Sequence, residues 1–186
     1  MPPPVVKQRA DAARNRAKIL ATAEAMFARD GLTVAVDDIA RRAKVGVGTL
    51  YRHFPTKEAL VAAIVIARIA RIAEHAEQLA HAADPGAALF GLIEQMVAEG
   101  VVKRDFVDAL GAHAVFAGAA ADAVRTRFRR ALAKLLVRAQ AAGAVRGDVT
   151  APDIAALVRG VFASADDDPK ARARYLGILI DGLRVT

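Results

Sequence analysis

Val36-Asp37-Asp38-Ile39-Ala40-Arg41-Arg42-Ala43-Lys44-Val45-Gly46-Val47-Gly48-Thr49-Leu50-Tyr51-Arg52-His53-Phe54 is the stretch on which the fold turns. Ile39, Ala40 and Ala43 recur at the i, i+1, i+4 spacing of one helix face. A second helical pattern begins near Val47 and runs to Phe54. The link, Lys44-Val45-Gly46, is too short to hold a core of its own. Val45 can plug the angle between the helices, and Gly46 relaxes the backbone where the turn is tight. Two short helices joined at a steep angle by three or four residues form a helix-turn-helix.

The second helix is built to meet a polymer of phosphates and bases. Gly48 and Thr49 in its first turn let a phosphate or base edge approach the free N–H groups. Thr49, Tyr51, Arg52 and His53 offer hydroxyl, phenol, guanidinium and imidazole groups. Leu50 and Phe54, at i and i+4, face the other way and anchor the helix. Pro55 stops it, Thr56 caps the next helix, and Lys57 at the start of that helix is placed to reach a phosphate.

At these residues the sequence resembles the TetR family of transcriptional regulators. The matching run is Asp38-Ile39-Ala40, then Gly46-Val47-Gly48-Thr49-Leu50-Tyr51-Arg52-His53-Phe54, then Lys57-Glu58-Ala59-Leu60. Ile19-Leu20, Ala23, Phe27 and Gly31 belong to the same pattern. Three departures stand out. Lys44 occupies a turn position where the family often has Gly, at some conformational cost. Val36 stands where relatives often carry a capping Thr or Ser, which forgoes about 1 kcal/mol. Val47 replaces a Lys found in some relatives. The resemblance implies an all-α protein that binds a double-stranded DNA operator. The expected contacts are Arg14, Lys44, Gly46, Val47, Gly48, Thr49, Tyr51, Arg52, His53 and Lys57.

The charge supports this. The net charge is +7. Residues 1–60 hold 11 Lys and Arg against 6 Asp and Glu, so a third of the chain carries +5 of it. Such an excess beside a helix-turn-helix is expected of a surface that meets phosphates. With no cysteine, disulfides, thiolate metal sites and Cys nucleophiles are excluded. The first residues have no apolar core of a signal peptide. The longest uncharged stretch, residues 109–121, is 13 residues, too short for a bilayer. The expectation is a cytoplasmic protein with no membrane partner.

In order along the chain, residues 1–12 read as a disordered basic arm, either a solvated tail or an arm reaching DNA beside the main helix. A helix follows over about 12–29, with Ile19, Ala23, Met26 and Phe27 as its buried stripe and Gly31 ending it. Residues 13–58 make the expected three-helix DNA-binding domain, and 59–186 a helical domain. The helix expected over 57–80 is apolar nearly all round from Leu60 to Ala67. Asp84-Pro85 starts the next. Asp105 is expected to cap a short helix carrying Phe106, His113 and Phe116. Further helices are expected over 119–142, from Thr150, and from the Asp166-Asp167-Asp168-Pro169 start to about Leu183. That is about nine helices, with no strand. The three adjacent Asp read as solvated charges favouring a helix N-terminus rather than as a cation site.

Beyond residue 80 the resemblance is weak. It implies a ligand-binding bundle with an internal pocket, dimerising through the last two helices. The sequence supports dimerisation separately, because the last helix has more large aliphatics than one buried stripe needs. Leu157, Val161, Tyr175, Leu176, Leu179 and Leu183 are the candidate interface. Phe90, Met96, Phe106, His113, Phe116, Phe128 and Phe162 are the pocket candidates, although each also fits an ordinary core position. They point to a small, mostly apolar effector. No cofactor is expected. The expected function is a ligand-released repressor on a palindromic operator, with an activator or a non-specific architectural DNA-binding protein as the alternative. Against an enzyme, no nucleophile triad, metal cluster or phosphate loop is spaced for catalysis.

Overall fold

The computed structural model of the chain describes residues 5–110, 118–164 and 168–185. Eight helices appear among the described residues: α1 Val5–Asp30, α2 Val36–Arg42, α3 Val47–His53, α4 Lys57–Leu79, α5 Pro85–Leu110, α6 Ala119–Ala141, α7 Ala151–Ser164 and α8 Pro169–Leu183. No strand occurs among them. Val145 and Arg184 form one isolated antiparallel bridge. The all-α expectation holds.

Two compact units divide the chain. The first holds the described residues up to Val65, together with Leu110. The second holds Ile66–Ala109 and the described residues from Gly118 on.

In the first unit, α1, α2 and α3 pack against one another. Ile19, Ala23, Phe27, Ile39, Ala40, Ala43, Leu50 and Phe54 are buried. Helices of seven residues such as α2 and α3 are too short to persist alone, so their order comes from this burial. Gly31 ends α1 in the left-handed region at φ 72°, and its N–H donates to the Phe27 carbonyl at 3.0 Å. Lys44 is the one described non-glycine residue with positive φ, at 56°. The turn therefore adopts the conformation for which glycine is favoured, at a cost for a side chain. Val45 closes it, its N–H donating to the Ala40 carbonyl at 3.0 Å.

Helix starts in the second unit follow the expected caps. Asp84 accepts from the Ala87 N–H at 2.9 Å. Thr150 and Asp153 form a reciprocal pair: the Thr150 N–H donates to Asp153 at 2.9 Å, and the Asp153 N–H to the Thr150 hydroxyl at 3.4 Å. Asp168 accepts from the Lys170 N–H at 2.9 Å. The core joins Ile72 and Ala76 of α4, Leu89, Leu92 and Ile93 of α5, Leu132, Leu135 and Leu136 of α6, Ile154 and Val158 of α7, and Leu179 and Leu183 of α8.

Two expectations are corrected. Residues 5–12, read as disordered, form the opening turns of α1. The prolines end at Pro4, and Ala10, Ala12 and Ala13 are strong helix formers. Asp105 does not cap a separate helix, since α5 continues unbroken through it to Leu110. Residues 101–110 contain no Gly or Pro, and each interior Asp costs only about 0.7 kcal/mol against Ala. The rest of that expected helix, residues 111–117, lies outside the described residues.

A Cβ on Gly86, in the first turn of α5, would lie 2.5 Å from the Ala144 Cβ. Gly86→Ala gains about 1 kcal/mol of helix propensity but forces a repacking that costs about 1–3 kcal/mol. The melting temperature of the variant is expected to fall; a rise would show that the loop after α6 yields freely. Lys44→Gly should raise the stability of the first unit by about 0.5–1 kcal/mol, read by denaturant unfolding of a probe in α2. A loss would show that the Lys44 side chain stabilises more than its backbone strain costs.

Candidate functional site

The surface of α3 splits cleanly. Leu50 and Phe54 are buried, at 0% and 2% exposure. Val47, Gly48, Tyr51 and Arg52 are exposed at i, i+1, i+4, i+5 and so share the opposite face. Val47 and Tyr51 are exposed large hydrophobics, at 41% and 43%. Thr49 and His53 are half-buried on the flanks, and the His53 ring lies tilted 6.2 Å from Phe54. A side chain built on Gly48 would meet nothing within 4 Å, so the first turn of α3 is open to a close approach. Lys44 and Gly46 are exposed immediately before it. A phenol, a guanidinium, a hydroxyl and an apolar Val47 thus project from one helix, as a base-reading element requires.

The surrounding cations divide into free and committed. Arg42, Lys44 and Arg52 are exposed around the turn and α3. Arg14 pairs with Asp11, and Arg41 with Asp38 at 2.8 Å. Arg16 of α1 lies over the Phe54 ring at 5.1 Å. Lys57, expected to reach a phosphate, is half-buried. Its Nζ donates to the Leu32 carbonyl and to the Val34 carbonyl at 2.8 Å, and lies 5.8 Å from the centre of the Phe27 ring.

In the second unit, an open groove runs along α7 and α8. Ala156, Leu157, Gly160 and Ser164 line it from α7, and Tyr175, Ile178 and Gly182 from α8. Each helix contributes an i, i+3, i+7 stripe, Leu157-Gly160-Ser164 and Tyr175-Ile178-Gly182. Leu157 is 47% exposed and Ile178 64%. Val161, Leu179 and Leu183, also expected on an interface, line the groove as well but are buried within the protomer, and Tyr175 and Leu176 are half-buried. Ile178 lines the same groove without having been among the interface candidates. The excess of aliphatics in the last helix was the signal for a second stripe, but only the fold shows which stripe faces inward.

The pocket candidates are scattered by comparison. Phe90 is buried, with the Arg184 guanidinium 4.6 Å from its ring centre. Met96 and Phe128 are half-buried and pack against the core. The side chains of Phe106, His113, Phe116 and Phe162 lie outside the described residues. A second groove joins Glu77 and His81 to Thr126, Arg127, Arg130 and Lys134, and contains none of the candidates. There Arg127 makes two hydrogen bonds to Glu77, at 2.7 and 2.5 Å, which hold the Glu77 carboxyl below the usual carboxylate range. Among the described residues no group of acidic and histidine side chains is placed to hold a metal ion, and no helix is long and apolar enough to cross a membrane.

Known proteins share both units. Residues 19–64 match the family model described as bacterial regulatory proteins, tetR family. Residues 84–185 match the model of the SbtR-like transcriptional regulator C-terminal domain. The TetR transcription regulatory protein from Mycobacterium vanbaalenii is 44% identical, with a TM-score of 0.73 over 96% of this chain and 99% of that one. The TetR transcriptional regulator SCO0520 from Streptomyces coelicolor is 36% identical, with a TM-score of 0.72 over 92% of this chain and 99% of that one. The HTH-type transcriptional regulator SAR0097 of Staphylococcus aureus (strain MRSA252) is 46% identical over 61 residues, which span 32% of this chain and 32% of that protein. The chain belongs to the TetR family of DNA-binding transcriptional regulators.

Proposed function

We propose that the protein is a ligand-responsive repressor that binds a palindromic operator as a homodimer. The observation that carries the reading is the exposed face of α3, where Val47, Gly48, Tyr51 and Arg52 project together from a helix pinned by buried Leu50 and Phe54. In this reading α3 lies in the major groove. Tyr51 and Arg52 meet base edges, Val47 packs on apolar base surface, and Lys44 and the open first turn take the backbone. A two-fold dimer sets two such helices about 34 Å apart, or a small multiple, so the operator is palindromic.

The groove of α7 and α8 supports the dimer. Leu157 and Ile178 expose apolar surface beside Gly160 and Gly182, where an added Cβ would meet nothing within 4 Å. Small residues beside large aliphatics let helices of two protomers approach closely and bury the latter. Release follows from a population shift. A small, mostly apolar molecule bound among the apolar residues of α5 and α6, such as Met96 and Phe128, favours a conformation that fits the operator less well. Each tenfold loss of operator affinity needs about 1.4 kcal/mol of differential binding.

Two outcomes are expected. Tyr51→Ala should weaken binding to the palindromic operator by about 1–3 kcal/mol while leaving binding to a random-sequence duplex nearly unchanged, read by fluorescence anisotropy on both. Equal loss on the two duplexes contradicts a base-reading Tyr51. Ile178→Glu places a carboxylate twice across a two-fold interface. It should sediment as a monomer with unchanged helix content and bind the operator far more weakly; a stable dimer contradicts the proposed interface.

A further inference from the structure

We propose that Lys57 is a positioning residue: its ammonium clips the segment before α2 and so holds α2 and the turn beneath the recognition helix, rather than neutralising a phosphate. The inference rests on the DNA-reading role of α3 proposed above, but its first readout needs no DNA.

The geometry commits the ammonium. Lys57 Nζ donates to the carbonyls of Leu32 and Val34, the latter at 2.8 Å, and sits 5.8 Å from the centre of the Phe27 ring. Two charge-assisted bonds to neutral carbonyls, with an aromatic face beside them, satisfy most of what an ammonium can donate. The two carbonyls bracket Thr33 in the connection between α1 and α2. That connection ends at Ala35, which, rather than Val36 as expected, is the cap residue of α2 and makes no side-chain hydrogen bond. A helix of seven residues starting without a cap depends on outside contacts to fix its start. Lys57, from the first turn of α4, supplies one. The Thr56 hydroxyl accepts from the Ala59 N–H at 3.1 Å, which anchors that first turn in place. The same lysine that a reading of charge assigns to DNA therefore links the start of α4 to the entry of α2.

Lys57→Met keeps the alkyl stem over Phe27 and removes only the ammonium. In the full-length DNA-free protein, hydrogen exchange of the α2 amides should become at least tenfold faster, with exchange in the centre of α1 and in α5 to α8 unchanged. On a random-sequence duplex, affinity should fall while the slope of log affinity against log salt stays the same. Adding Ala35→Ser, which gives α2 a capping hydroxyl, should restore slow exchange in α2 and recover affinity without restoring the charge. Unchanged α2 exchange together with a salt slope reduced by about one would overturn the proposal in favour of a phosphate contact. Uniform acceleration across the whole first unit would also overturn it, since Lys57 would then support overall stability and not the placement of α2. Failure to find a palindromic operator would leave the exchange result standing and would count against the proposed function alone.

Discussion

The burial of Leu50 and Phe54 is the interaction on which the helix-turn-helix depends. A seven-residue helix cannot pay for its own nucleation, so α3 exists because one face leaves water. That same burial fixes rotation. With Leu50 and Phe54 turned inward, the 100° step of the helix sends Val47, Tyr51 and Arg52 outward. Orientation of the exposed face is thus a packing consequence, and the identity of the exposed groups is free to vary without disturbing the fold.

A second constraint follows from how short α2 and the turn are. Lys44 holds a left-handed conformation, and α2 begins without a side-chain cap. Both are local weaknesses, and both lie next to the surface that must be presented rigidly. Contacts from elsewhere in the unit offset them: Arg16 lies over Phe54, and Lys57 bonds the connection between α1 and α2. Part of the positive charge of the first sixty residues is therefore spent on holding the unit together. Arg42, Lys44 and Arg52 stand exposed near the turn.

Much of this was legible in the residues. The helix-turn-helix declared itself through the i, i+4 anchors and the punctuation by Gly31, Gly46 and Pro55. The starts at Asp84, Thr150 and Asp168 followed from capping chemistry, which is local. What was not legible depends on distance or on competition. Lys57 meets a carbonyl 25 residues earlier in the chain, and no local pattern tells such a partner from a phosphate. Val161 and Leu157 are both aliphatic residues of α7, yet one is buried and the other exposed, because the inward stripe is chosen by what α7 packs against. The opening turns of α1 were obscured by the prolines before them, and Asp105 was read as a cap where helix-forming neighbours carried α5 through it.

The central claim is that two copies of α3 read a two-fold DNA sequence. Selection of bound sequences from a random DNA pool, by the purified protein at physiological salt, tests it most directly. The account predicts enrichment of one palindrome whose half-sites lie about one helical turn apart or a small multiple of it. Recovery of an unenriched pool, with binding that vanishes as salt is raised, would show a protein that coats DNA through charge alone and would contradict it.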